Sequence, residues 1–195
     1  MRIIPREIEL ANCGKGERMS TVIGKPTETE YLSYYDSYIS LVPDGNIVTI
    51  LAEQIEETLA LLDQVDEAQA GYRYEPDKWS IRELVGHVID SERVFAYRAL
   101  RFARGDQTAL AGYEQDDYVA NGSFDNTPLK ELRDELEAVR RATTFLFKHL
   151  EQDAWMRIGI ANDANVSVRA LAYMIAGHEL HHRGVLQSRY LNRSR

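Results

Sequence analysis

Three of the five histidines in this 195-residue chain fall in one stretch, His178-Glu179-Leu180-His181-His182. Imidazole is the commonest metal ligand among side chains, so the clustering points first to metal chemistry. The stretch lies near the end of an amphipathic run from Val166 to Leu191. At ~100° per residue, with His178 at zero, His182 falls at ~40°, Glu179 at ~100° and His181 at ~60° on the other side. Leu171, Met174, Ile175, Val185 and Leu186 lie between about −40° and +80°, so the apolar stripe is centred on the His178/His182 pair. Two inward imidazoles one turn apart need partners for their lone pairs, and a divalent ion takes both.

Zinc-type ions take at least three protein ligands, so the rest of the site must come from another element. Ser80 and Glu83 form a capping box that starts a long helix, ended by Gly105-Asp106. On its wheel His87 flanks the stripe of Leu84, Val88, Phe95 and Phe102, in line with Ser91, Val94 and Arg98. His87 is therefore the candidate third ligand. Asp90, one turn on, is a candidate to hold a ligand imidazole's free N–H, as metal-bound histidines require; a carboxylate on a solvated helix edge is the alternative. Three neutral imidazoles would leave positions open for water or substrate, which is the catalytic pattern of a metal site. Bound water would have its pKa lowered toward ~7, or a thiolate could take the open position.

The same five residues match H-E-x-x-H, the zinc-peptidase signature in which Glu179 would be the general base. Against this, the residues after His182 include no His, Asp or Glu, and nothing upstream reads as a strand to hold a peptide.

Four helical segments position these residues. The first spans about Ile47 to Val65, with Ile47, Leu51, Ile55, Leu59 and Leu62 on one face. The second is the capped helix carrying His87. The third starts at Thr127-Pro128, with Thr as N-cap and Pro at the first helical position, and its seam runs Leu129, Leu132, Leu136, Val139, Thr143, Leu146, Leu150. The fourth is capped by Ser167 and carries the pair. Between the second and third lies a long connection, Gln107 to Asn126, expected to be a solvated acidic turn or a substrate lid, with room for a short helix. Trp155 to Val166 reads as a turn-rich loop. Tyr31, Tyr34, Tyr35 and Tyr38 recur at helical spacing in a strap from Ser20 to Asn46, expected to pack across the body. The fold expected is all-α, a four-helix bundle with an N-terminal strap, forming one domain over residues 19–195. Residues 1–18 read as an upstream extension or a mobile arm, with Met19 a second start.

Composition agrees with a globular protein: 44% hydrophobic, 28% charged and a net charge of −8. The acidic balance argues against nucleic acid, and no apolar run is long enough for a membrane span. The N-terminus lacks a secretory h-region, so the chain reads as cytoplasmic. Its single cysteine, Cys13, excludes an intrachain disulfide and a thiolate cluster.

Trp79-Ser80-Ile81-Arg82-Glu83-Leu84-Val85-Gly86-His87-Val88-Ile89-Asp90-Ser91-Glu92-Arg93, followed by Gly177-His178-Glu179-Leu180-His181-His182, resembles the DinB/YfiT-like superfamily of metalloenzymes. The resemblance covers Met19 to Leu191. It implies an up-down-down-up four-helix bundle, often a homodimer, with a histidine triad that binds nickel or zinc and falls here on His87, His178 and His182. Iron is a third option for such a ligand set. The resemblance also implies a small-molecule substrate and chemistry of thiol S-transferase or hydrolase type, with bacillithiol, mycothiol or glutathione as low-molecular-weight thiol co-substrate in some members. A non-catalytic, metal-binding or dimerising helical protein is the alternative. Glu179 is not clearly part of the triad in such proteins, and it stands beside Asp90 as a candidate to support the ligands from behind.

Overall fold

The computed structural model describes residues 23–192. The extension over residues 1–18, the second start at Met19 and Cys13 lie outside them. Eight α-helices follow one another among the described residues: α1 (Asp36–Ile39), α2 (Ile47–Leu62), α3 (Glu67–Ala70), α4 (Ile81–Ala103), α5 (Gln115–Asn121), α6 (Leu129–Lys148), α7 (Gln152–Trp155) and α8 (Val168–Val185). A two-stranded antiparallel hairpin, β1 (Ile158–Ala161) and β2 (Ala164–Ser167), stands between α7 and α8.

The four long helices form the bundle, and their contacts give its topology. Ser80 at the start of α4 bonds Asp125 just before α6, and Glu92 meets Arg140 further along, so α4 and α6 run parallel. Gln54 meets Glu179 and Glu57 meets Arg183, so α2 and α8 also run parallel. Leu51 meets Arg140 while Asp63 meets Arg133, which makes α2 and α6 antiparallel. The Trp79 carbonyl accepts from Tyr190 and His87 touches His178, so α4 and α8 are antiparallel as well. The order is up-down-down-up, as the family resemblance implies, and the two helices carrying the histidines are antiparallel neighbours.

Caps set where these helices start. Asn46 accepts from the amides of Val48 and Thr49, Ser80 and Glu83 form the reciprocal box, and Ser167 accepts from the amide of Ala170. At α6 the helix begins one residue later than expected, with Pro128 and not Thr127 at the N-cap.

The bundle interior has two apolar halves. One gathers Leu51, Phe95, Phe147, Leu171 and Met174 with the strap and the hairpin; the other gathers Ile55, Ile89, Leu136, Leu186 and Tyr190. Between them, at the same level on all four helices, lie buried polar groups: Gln54 and Thr58 on α2, His87 and Glu92 on α4, Arg140 on α6, His178 and Glu179 on α8. Such a layer persists only if its members satisfy one another or hold a ligand.

Two sequence expectations need correction. The stretch from Trp155 to Val166 is not a loop throughout, because Asn162 and Asp163 at φ 52° and 57° make a two-residue turn between the paired strands. The connection from Gln107 to Asn126 does carry the short helix for which it had room, α5, followed by a 3-10 turn at Phe124–Asn126. The buried face of α6 is also rotated from the expected seam: Arg140 and Phe147 are buried, while Val139, Leu146 and Leu150 are only half-buried.

Candidate metal centre

α4 brings His87 to face α8, where His178 and His182 project one turn apart. Their Nε2 atoms meet: His87 lies 3.0 Å from His178, and His178 lies 3.1 Å from His182. Among the described residues this trio forms a group of ligand atoms all within 4.8 Å of one another. Two nitrogens about 2.0–2.1 Å from one ion stand ~3.0–3.4 Å apart at bond angles near tetrahedral or octahedral, so both close contacts fit a shared ion.

Protonation chemistry makes the same point. Burial pushes the His87 imidazole down to about 4, with the nearby charge of His181 adding to the effect. Burial again comes first in holding His178 and His182 well below the ordinary value. All three are neutral at pH 7. A neutral imidazole nitrogen carries one proton or one lone pair, so His178 Nε2 satisfies only one of its two neighbours by hydrogen bonding. An ion accepts all three lone pairs. Coordination through Nε2 puts the proton of each ring on Nδ1, where it needs an acceptor. Nδ1 of His182 is buried and bonds no protein group. A small cavity of about 10 Å³ bordered by His182 and Glu179 has an apolar lining, so it supplies no acceptor for that nitrogen.

The aromatic surroundings hold the rings. Trp79 lies 4.6 Å from the His87 ring, and its carbonyl is held by the Tyr190 hydroxyl at 2.6 Å. Tyr38, from the strap, lies 5.5 Å from His178 and 5.1 Å from His181. The strap can come this close because α8 has Gly177 at the contact: a Cβ there would stand 2.2 Å from the Tyr38 carbonyl oxygen. On the outer side of His182 a cavity of about 340 Å³ opens, bordered by Tyr74, Lys78, Trp79, Asp116 and His181. Trp79 and Tyr38 had no assigned part in the site from sequence. The only signal for Tyr38 was its helical spacing with Tyr31, Tyr34 and Tyr35.

The two supporting carboxylates fall in different places. Asp90 is half-buried and forms an ion pair with Arg93 at 3.6 Å; burial raises its pKa, and its partner is this guanidinium and not an imidazole. Glu179 is buried in the polar layer. Arg140 Nη1, Gln54 Nε2 and Thr58 Oγ1 each approach its carboxylate to 2.5 Å. Arg140 also donates to both Glu92 oxygens and to the Leu51 carbonyl, so one guanidinium joins all four long helices. Burial works against the Arg140 charge, yet the two carboxylates outweigh it and its pKa is raised. Glu92 and Arg140 gave no functional signal in the sequence, because 48 residues separate them.

A four-helix bundle of this topology with a buried interhelical histidine trio defines a structural class. Within it, this chain belongs to the DinB superfamily, whose family model matches residues 50–186. Among solved structures it is similar to YfiT from Bacillus subtilis, described as a probable metal-dependent hydrolase with an unusual four-helix bundle topology. The identity is 16%, the TM-score 0.67, and the match covers 84% of this chain and 89% of that one. A mycothiol-dependent maleylpyruvate isomerase matches at 16% identity and TM-score 0.60, over 74% of this chain and 61% of its own length. A DinB-like protein from Bacillus subtilis matches at 20% identity and TM-score 0.55, over 73% and 87%. No curated protein matches the chain by sequence.

Proposed function

We propose that this chain is a metal-dependent enzyme acting on a small molecule, with His87, His178 and His182 as the ligands of a divalent ion. The observation that carries the reading is the meeting of three neutral imidazole nitrogens at 3.0 and 3.1 Å, which hydrogen bonding alone cannot satisfy. Nickel and zinc are the ions favoured, with iron a further option. An ion there supplies Lewis acidity, for an activated water or a bound thiolate. The chain's own part is to keep the imidazoles neutral and fixed, with Trp79 and Tyr38 packed on the rings. The cavity of about 340 Å³ is of a size for a small organic substrate.

Two chemistries stay open in this proposal. Hydrolysis is supported by the likeness to YfiT, and use of a low-molecular-weight thiol by the likeness to the mycothiol-dependent isomerase. The peptidase reading is disfavoured because the Glu179 carboxylate is already taken up by Arg140, Gln54 and Thr58. A cytoplasmic homodimer is part of the proposal; no helix among the described residues is long and apolar enough to cross a membrane.

The test is metal analysis of protein purified without a histidine tag, beside His178→Ala. About one equivalent in the parent and near none in the variant is expected. Less than about a tenth of an equivalent in the parent, with no uptake of added zinc, nickel or ferrous iron, would leave the non-catalytic alternative. With metal in place, a panel of thiols and an electrophile separates transferase from hydrolase.

A further inference from the structure

The polar layer beside the histidine trio carries an unbalanced charge. Glu92 and Glu179 are each 2% exposed, and among the described residues the cation between them is Arg140, 1% exposed. The hydrogen bonds are those of ionised carboxylates. Both Glu92 oxygens accept from Arg140, which donates through Nε and Nη2. On Glu179 one oxygen accepts from Thr58 Oγ1 and the other from Gln54 Nε2 and Arg140 Nη1. Each partner offers an N–H or an O–H, as an acceptor-only carboxylate requires. Gln54 turns its NH₂ to Glu179 and to the Ala176 carbonyl, while its own buried Oε1 bonds no protein group. Two negative charges against one positive leave the layer with one negative charge in excess. The nearest other charges are matched among themselves, Asp90 with Arg93 and Glu57 with Arg183. Arg98, also buried, stands about 16 Å along α4 from His87 and donates to the Ala111 carbonyl.

The trio lies next to this excess charge. Glu179 follows His178 in the sequence, and with His182 it borders the same small cavity between the four long helices. Glu92 stands about 7.5 Å along α4 from His87. Three neutral imidazoles bring no charge to a divalent ion, so an ion that they hold keeps its full positive charge in a buried place. A net charge there is costly alone, and two of opposite sign within about 10 Å stabilise each other. Resting on the reading of the trio as ligands, we propose that Glu92 and Glu179 are the counter-charge of the ion, held in place by Arg140, and that they set how tightly the trio binds it. Glu92, whose hydrogen bonds all go to Arg140, then controls affinity without bonding a ligand. The polar layer is thus a part of the metal centre as well as a brace of the bundle.

The experiment uses the full chain, stripped of metal and titrated with zinc against a competing chelator. Glu92→Gln keeps the shape of the side chain and removes the excess charge, and its zinc affinity should fall by about 10–100-fold. Glu92→Asp alters the shape and keeps the charge, and its affinity should stay near that of the parent. Melting temperatures of the metal-free proteins are measured beside these titrations. A bracing role alone would make zinc affinity follow metal-free stability across the variants; a counter-charge makes it follow the charge. Should Glu92→Gln fail to fold, Glu179→Gln removes the same charge from the other carboxylate and is expected to weaken zinc likewise. A parent that binds no zinc would defeat the trio as ligands and this inference with it. A parent that binds one equivalent, with Glu92→Gln equal to it in affinity or Glu92→Asp weakened as much as Glu92→Gln, would overturn the counter-charge and leave the trio standing.

Discussion

Replacing Arg140 by methionine tests the polar layer most directly. The change removes the guanidinium that is bonded to both Glu92 oxygens, to the Leu51 carbonyl and to Glu179, at a side chain 1% exposed. Breaking one buried pair by deleting a partner costs about 3–5 kcal/mol, because the remaining charge is stranded. Two carboxylates are stranded here, so that figure is a floor. With ~2–4 °C per kcal/mol for a chain of this size, Arg140→Met should lower the melting temperature by at least about 6–20 °C. Thermal and urea unfolding at pH 7 would measure it. The cause is checked by the triple variant Arg140→Met/Glu92→Gln/Glu179→Gln, which has no stranded charge and should recover a large part of the loss. A single variant that loses less than about 1 kcal/mol, or a triple variant worse than the single, would refute the account of the layer as one electrostatic unit.

Two further outcomes follow from the strap. Burial alone would raise the Glu30 carboxyl, but hydrogen bonds from Arg169, the Thr27 amide and Ser167 more than reverse this and hold it at about 2. Its contribution is complete above the unfolded value of 4.5 and is lost as pH falls from there toward 2; Glu30→Gln should flatten that part of the stability profile, and an unchanged slope in acid titration would contradict it. Gly177→Ala should cost about 1–3 kcal/mol, since the new Cβ would meet backbone atoms of Tyr38 that have no rotamer to escape into. Amide exchange should quicken over residues 36–42 in that variant, and unaltered protection there would show that the strap is held elsewhere.

The parts legible in the sequence were those with a local period. Step-three and step-four spacing located the four long helices, and the wheel put His178 and His182 on the inward face beside the flank position of His87. Side-chain caps at Ser80 and Ser167 marked helix starts because their partners lie within three residues. What escaped were long-range polar pairings. Arg140 is in register with Leu136 and Thr143, yet a charge in an apolar seam counts against burial unless its partners are known. Those partners sit on other helices. The hairpin escaped for another reason: its strands have four residues each, too short for alternation to show, although Asn162-Asp163 is a residue pair that favours the left-handed turn. Asp90 had the right spacing from His87 but a nearer cation in Arg93.

The antiparallel pairing of α4 with α8 also fixes when the histidine trio can exist during the life of the chain. His87 and His178 are 91 residues apart in the sequence. The first three long helices precede His178 and His182 in the order of synthesis, so their apolar faces are there to bury before the trio can assemble. Under the proposed function, capture of an ion by all three ligands would follow the closing of the bundle.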